Sequence, residues 1–190
     1  MKKGLIIAAA MILAVCLGVG GTLAYLFVKT ETVTNTFAPS NITLELEETV
    51  SNQFQMIPSV EMKKDPKVTA SGDIDFYVFV KVDKVNNPDT YLDYSIITTE
   101  EKGWEVLETG TNYVVYYQEV AANATFEDVS ILTGDKVTTK STITKGDMAK
   151  FYNSDGTPNE ATFPKLIFTA YAIQKAGFTP ATAWTELNKA

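Results

Sequence analysis

Carboxylates are the only abundant side chains in this sequence that could perform acid–base chemistry or bind a metal ion. The 190 residues include 23 aspartates and glutamates but no histidine, and the single cysteine, Cys16, lies in an apolar N-terminal run. Without histidine, the chain cannot form a Ser-His-Asp triad, a Cys-His pair or an HExxH zinc site. These common forms of hydrolytic catalysis are therefore excluded.

Asp73, Asp75 and Asp83 lie in and around one predicted strand, and oxygen ligands of this kind are preferred by calcium. Asp75 and Asp83 share a face but are eight residues apart in the sequence, which is roughly 27 Å along a strand. They cannot chelate one ion together. We therefore interpret these aspartates as turn and rim residues and expect no metal ligand.

Glu45, Glu47 and Glu48 form an acidic strip that could supply the paired carboxylates of a glycosidase. Adjacent carboxylates on one face of an edge strand are more typical of a solvated surface that prevents aggregation. We therefore expect no catalytic residue and no cofactor, and we predict that the chain is not an enzyme. The net charge of −7 and the absence of arginine also argue against binding to nucleic acid, whose phosphates such a surface repels.

The N-terminus is typical of an exported protein. Lys2 and Lys3 precede residues 4–28, which carry no charge. A run of about 20 apolar residues is long enough to span a bilayer, whereas a signal peptide needs a shorter apolar stretch followed by small residues. Glycines at positions 18, 20 and 21 weaken a helix just before a motif of small residues. This arrangement favours a signal peptide, whose contact with the membrane through residues 4–24 would be transient.

The predicted cleavage site consists of Thr22, Leu23, Ala24 and Tyr25. Thr22 and Ala24 supply the small residues that signal peptidase recognises, so the cut is expected between Ala24 and Tyr25. Residues 1–24 then form a signal peptide, which begins the chain as a signal helix. A retained membrane anchor is the alternative. The protein is expected to be secreted, with signal peptidase as a partner during export.

Residues 25–40 form an extended, threonine-rich leader. The residue types alternate: in a strand, one face would carry Thr30, Thr32, Thr34 and Thr36, and the other would carry Val33 and Phe37. A period of two suits a strand, and β-branched threonine favours one. This segment is either a flexible leader or edge strand, or a donor strand that pairs with a neighbouring molecule.

The remaining residues, 41–190, are predicted to form one β-sandwich domain. Alternating or continuous apolar patterns predict strands over residues 41–47, 74–83, 91–97, 113–117, 136–143 and 165–174, and a short one after Trp104. The 136–143 strand is expected near an edge. Thr144 predicts the start of one short helix, and Thr179 with Pro180 the start of another that buries Ala183, Trp184 and Leu187. The fold class is all-β, an antiparallel jelly-roll-like β-sandwich with a few short helices.

Several segments resemble exported proteins of the TasA/camelysin group. Three lie near the N-terminus: residues 20–25 (GGTLAY), 34–37 (TNTF) and 42–47 (ITLELE). Others are residues 64–68 leading into 75–82, the stretch 104–117, and residues 170–174 with Gly177-Phe178 and Ala183-Trp184. The signal-peptide part is the most specific of these matches.

The resemblance implies a jelly-roll-like sandwich, processing by the dedicated SipW signal peptidase, and export from a Gram-positive bacterium to the extracellular matrix or cell surface. It also implies a homo-oligomeric biofilm matrix fibre in which a strand of one subunit completes the sheet of the next. Camelysin carries a metallo-endopeptidase label, but this chain would have to build a zinc site from carboxylates alone, an unusual choice for zinc. A third possibility is an adhesion or carbohydrate-binding module with Tyr113, Tyr116 and Tyr117 as its platform.

Overall fold

The computed structural model describes residues 41–49, 56–98 and 103–189. The predicted signal peptide and leader, with their cleavage site and donor-strand residues, lie outside the described residues. The strands are β1 (Ile42–Glu47), β2 (Glu61–Lys63), β3 (Lys67–Gly72), β4 (Phe76–Val85), β5 (Leu92–Asp93), β6 (Glu105–Thr109), β7 (Tyr113–Val120), β8 (Phe126–Ser130), β9 (Lys136–Thr139) and β10 (Lys165–Gln174). The α-helices are α1 (Pro88–Tyr91), α2 (Lys145–Ala149) and α3 (Pro180–Leu187).

The described strands form three antiparallel sheets. The four-stranded sheet has the order β10-β4-β7-β6, and the three-stranded sheet has the order β1-β3-β8. These two sheets enclose a core that includes Val68 of β3, Phe126 of β8 and Val80 of β4. A small third sheet has the order β2-β9-β5. The all-β, antiparallel sandwich predicted from the sequence is thus confirmed.

β4 is the centre of the fold because both of its faces are apolar. Val78, Val80 and Val82 point into the core between the sheets, whereas Tyr77 and Phe79 point to the opposite face. A strand that is apolar on both faces needs a cover on each side. The second cover is α3.

α3 packs its apolar stripe on the outer face of the four-stranded sheet. The ring of Trp184 lies 5.6 Å from Phe79 and 5.3 Å from Tyr171, measured between ring centroids. Thr179 caps the helix in a capping box with Thr182, and Pro180 occupies the first turn. The predicted helix start and its buried residues Ala183 and Trp184 are confirmed.

Two strand predictions were wrong in part. The predicted strand over residues 91–97 is mostly irregular, since α1 takes its first residue, Tyr91, and the strand that follows is only two residues long. Only β5 and an isolated bridge at Ile96 remain of it. The predicted strand over 136–143 ends at Thr139 as β9, which lies in the middle of the small sheet rather than at an edge.

Candidate strand-accepting site

The edge strands of the two sandwich sheets define two borders. β1 ends the three-stranded sheet and β10 ends the four-stranded sheet, and these two strands lie beside each other without a backbone ladder between them. β8 and β6 end the same sheets on the other side. We call the side formed by β1 and β10 the open border, and the side formed by β8 and β6 the closed border.

Hydrogen bonds link the two sheets at the closed border. Ile97 donates its N–H to the carbonyl oxygen of Ile131, just after β8, at 3.0 Å. Trp104, just before β6, donates its N–H to the carbonyl oxygen of Ile97 at 2.7 Å. The indole Nε1 of Trp104 also donates to the carbonyl oxygen of Ser130 at 3.1 Å. These contacts occupy one end of this border, at the end of β8 and the start of β6.

The strands of the closed border are also irregular. The pairing of β6 with β7 shifts in register between Val106 and Glu108, and the pairing of β3 with β8 shifts between Val68 and Ala70. Such irregularities twist an edge strand and discourage further pairing. β1 and β10, by contrast, keep an uninterrupted register with β3 and β4 along their whole lengths.

The outward backbone groups of β10 follow from the alternation of an antiparallel ladder. Lys175 donates its N–H to the carbonyl oxygen of Asp75 at 2.9 Å, in register with the β10–β4 pairing. Every second residue back along the strand must then also bond to β4. The N–H and C=O groups that point away from β4 belong to the intervening residues, namely Leu166, Phe168, Ala170 and Ala172.

The outward backbone groups of β1 follow from the same alternation. The carbonyl oxygens of Pro66 and Gly72 accept bonds from Ile131 and Asn123, so the even-numbered residues of β3 face β8. The odd-numbered residues of β3 therefore bond to Thr43, Glu45 and Glu47 of β1. This leaves the backbone groups of Ile42, Leu44 and Leu46 directed toward the open border. Among the described residues, these outward donors and acceptors have no backbone partner, and they belong to residues whose side chains pack against the core.

A groove of about 560 Å³ lies at one end of the open border. Its apolar surface comes from the end of β1 and the start of β10, and charged side chains surround this surface. The lining residues are Leu46, Glu47, Glu48, Lys64, Pro66, Pro164, Lys165, Leu166, Ile167 and Phe168. The side chain of Ile167 is 45% exposed, so part of the apolar lining faces solvent.

One ammonium group spans the groove. Nζ of Lys64 lies 2.8 Å from both carboxylate oxygens of Glu48, which directly follows β1. The same Nζ lies 5.5 Å from the ring centroid of Phe168 in β10. The side chains of Lys64 and Glu48 are only 14% and 17% exposed. We call these three residues the clasp.

A buried carboxylate holds the β1 side of the groove in place. Asp65, 2% exposed, accepts the hydroxyl of Thr49 at 2.5 Å and the N–H of Thr49 at 3.1 Å. Lys63 places its ammonium 3.1 Å from the same carboxylate. The bond from the Thr49 hydroxyl, with help from Lys63, outweighs the opposing effect of burial and lowers the pKa of Asp65 to about 2.

The three tyrosines of the possible carbohydrate platform do not share a face. Tyr116 packs against the core between the sheets, whereas Tyr113 and Tyr117 lie on the outer face of the four-stranded sheet. Tyr117 donates its hydroxyl to Glu105 at 2.6 Å, and this bond raises the pKa of Tyr117 to about 12. A single aromatic surface made of all three rings is therefore ruled out by the strand alternation.

The aspartates considered as calcium ligands have separate structural roles. Asp73 accepts the N–H of Asn41, and Asp75 accepts the N–H of Ala122. Asp83 pairs with Lys81 at 2.8 Å. Within the described ranges, no group of three or more candidate ligands is close enough to hold a metal ion. Nor does any described helix have the length and apolar character needed to cross a membrane.

Local sequence patterns predict some parts of the open border but not their assembly. They predict β1 with its inward leucines and β10 as a strand, and they place Glu48 in a solvated acidic strip. The structure instead places Glu48 in a largely buried ion pair with Lys64. The only sequence signal was a glutamate directly after a strand, which is too common to indicate such a contact.

Comparisons with known proteins provide no further assignment. No protein-family model matches the chain, and neither the curated proteins nor the solved structures gave a match. The resemblance to the TasA/camelysin group therefore stays a prediction that depends on the residues quoted above.

Proposed function

We propose that this chain is a secreted structural protein of a bacterial biofilm matrix or cell surface, which assembles into fibres when a strand from one copy joins the open border of the next. The observation that carries the proposal is the pair of regular edge strands at that border, which have no further strand partner in the part of the chain that the structure describes. Their free backbone groups form a template for an added strand, and their side chains offer an apolar surface for it. Such β-augmentation needs no catalytic residue.

The proposed donor is the leader, residues 25–40, with Thr30, Thr32, Val33, Thr34, Thr36 and Phe37 as its pairing region. Its alternating pattern would turn Val33 and Phe37 toward the core and the threonines outward. A leader that folded back on its own β1 through a two-residue turn would need positive φ angles there. Pro39 cannot adopt them, because its φ is fixed at about −65°. Pairing with another copy does not need such a turn.

Complementation between two defective copies tests this proposal. One copy lacks residues 25–40 and keeps its border; the other keeps the leader but carries Leu44→Pro with Ala170→Pro, which remove one outward N–H from β1 and one from β10. Electron microscopy should show fibres for the unaltered exported protein and none for either variant alone. Mixing the two variants should give a 1:1 dimer by light scattering, because one supplies a donor and the other an acceptor. Fibres from the leader-deleted copy alone would contradict the proposal.

A further inference from the structure

The clasp lies in the path of any strand that enters the groove. Lys64, Glu48 and Phe168 all line the groove, and the Lys64 ammonium contacts groups on both sides of it. A strand that joins an edge lies about 4.8 Å from it, so its backbone must occupy space near these side chains. Entry therefore requires the clasp to rearrange.

The clasp joins two parts of the structure that are anchored separately. Glu48 is fixed by β1 on one side and by the Thr49–Asp65 bonds on the other. The N–H of Lys64 donates to the carbonyl oxygen of Asp135 at 2.8 Å, which fixes its backbone next to β9. Glu48 and Lys64 thus belong to one anchored unit, and only Phe168 belongs to β10. Opening the groove separates the ammonium from the ring and leaves the ion pair intact.

We propose that the clasp regulates strand entry, with the Lys64 ammonium holding β10 near β1 through the face of Phe168 until a strand displaces it. The cation is largely shielded from water, so its attraction to the ring is stronger than at an exposed site. The ion pair with Glu48 keeps the ammonium oriented toward the ring. This role in assembly rests on the proposed function, whereas the opening of the groove can be measured without it.

Thiol labelling of the full chain tests the clasp. With Cys16 replaced by alanine, Leu166→Cys places one thiol in the groove, and the paired change Glu48→Gln with Lys64→Met removes both charges while keeping side-chain length. Labelling of this thiol in mild detergent should become about fivefold faster, the factor that corresponds to losing one partly shielded cation–π contact. The control pair is Glu61→Gln with Lys136→Met, an ion pair between β2 and β9 whose side chains are 56% and 48% exposed.

A second thiol separates local opening from general unfolding. Leu132 is fully buried on the closed-border side, so Leu132→Cys should label at the same rate with and without the clasp. Equal labelling of Leu166→Cys in the clasp variant and the control pair would overturn the proposal, and so would a matching acceleration at Leu132→Cys. If the labelling result is as expected but the unaltered protein forms no fibres, the proposed function fails while the clasp remains.

Discussion

Two proline substitutions at neighbouring positions of β10 measure whether the open border is unpaired. The N–H of Thr169 points to Lys81 of β4 in the ladder, whereas the N–H of Ala170 points away from β4. Proline removes the N–H in both cases. Thr169→Pro should therefore break a bond inside the sheet, and Ala170→Pro should remove a group that the isolated subunit does not use.

The two proline substitutions should lower the free energy of unfolding by different amounts. Thr169→Pro loses one ladder bond and leaves the carbonyl oxygen of Lys81 without its partner, which together with the ring clash amounts to about 3 kcal/mol of unfolding free energy. Ala170→Pro is tolerated at an edge position whose N–H is free, and the residue before it already has the extended backbone that proline demands. The added ring atoms at the core should cost about 1 kcal/mol.

Urea unfolding followed by the fluorescence of Trp104 and Trp184 measures the difference. With a slope of about 2 kcal/mol per molar urea, the midpoints of the two proline variants should differ by about 1 M. Thr169→Ala provides the correction for the lost threonine side chain. If Ala170→Pro destabilises the subunit as much as Thr169→Pro does, the Ala170 amide is already bonded, and the reasoning about the open border is wrong.

Three further predictions concern other parts of the chain. Because the pKa of Asp65 is lowered to about 2 from 3.8, its ionised form stabilises the fold above pH 4. That contribution, about 2 kcal/mol, should be lost as the pH falls from 4 to 2. Urea titrations should show a loss of stability over this range that is about 2 kcal/mol larger in the unaltered protein than in Asp65→Asn, in which other carboxylates with lowered pKa values, such as Asp89 and Asp155, still contribute. Trp184→Ala should lower the unfolding free energy by about 3 to 5 kcal/mol because it removes the ring contacts of α3 with Phe79 and Tyr171. The exposed Glu186→Ala should change it by less than about 0.5 kcal/mol. Mass spectrometry of the protein recovered from the medium should find Tyr25 as the first residue, and a mass that retains residues 1–24 would indicate an uncleaved anchor.

Local sequence patterns were sufficient to predict the elements in which periodicity and capping residues favour the same structure. The alternation of Ile42, Leu44 and Leu46 predicted β1, and the Thr179-Pro180 start predicted α3 with its buried stripe. They were insufficient over residues 91–97, where the pattern predicted a strand but the chain forms the last residue of α1, the two residues of β5 and an isolated bridge at Ile96. The turn before this segment makes contacts that are distant in sequence, such as the two bonds from the Asn86 side chain to the carbonyl oxygens of Ala161 and Phe163.

Composition and periodicity are properties of the chain alone, and they were sufficient to predict the all-β fold class and the strand character of β1, β7 and β10, and to exclude histidine-dependent chemistry. The tertiary structure was needed to show which strands became edges, which border Trp104 links at one end, and which residue meets Lys64 across the groove. An edge exists only after every other strand has found its neighbour, and an ammonium over a ring requires two segments about a hundred residues apart to meet. The candidate site depends on these long-range pairings, and no local pattern contains them.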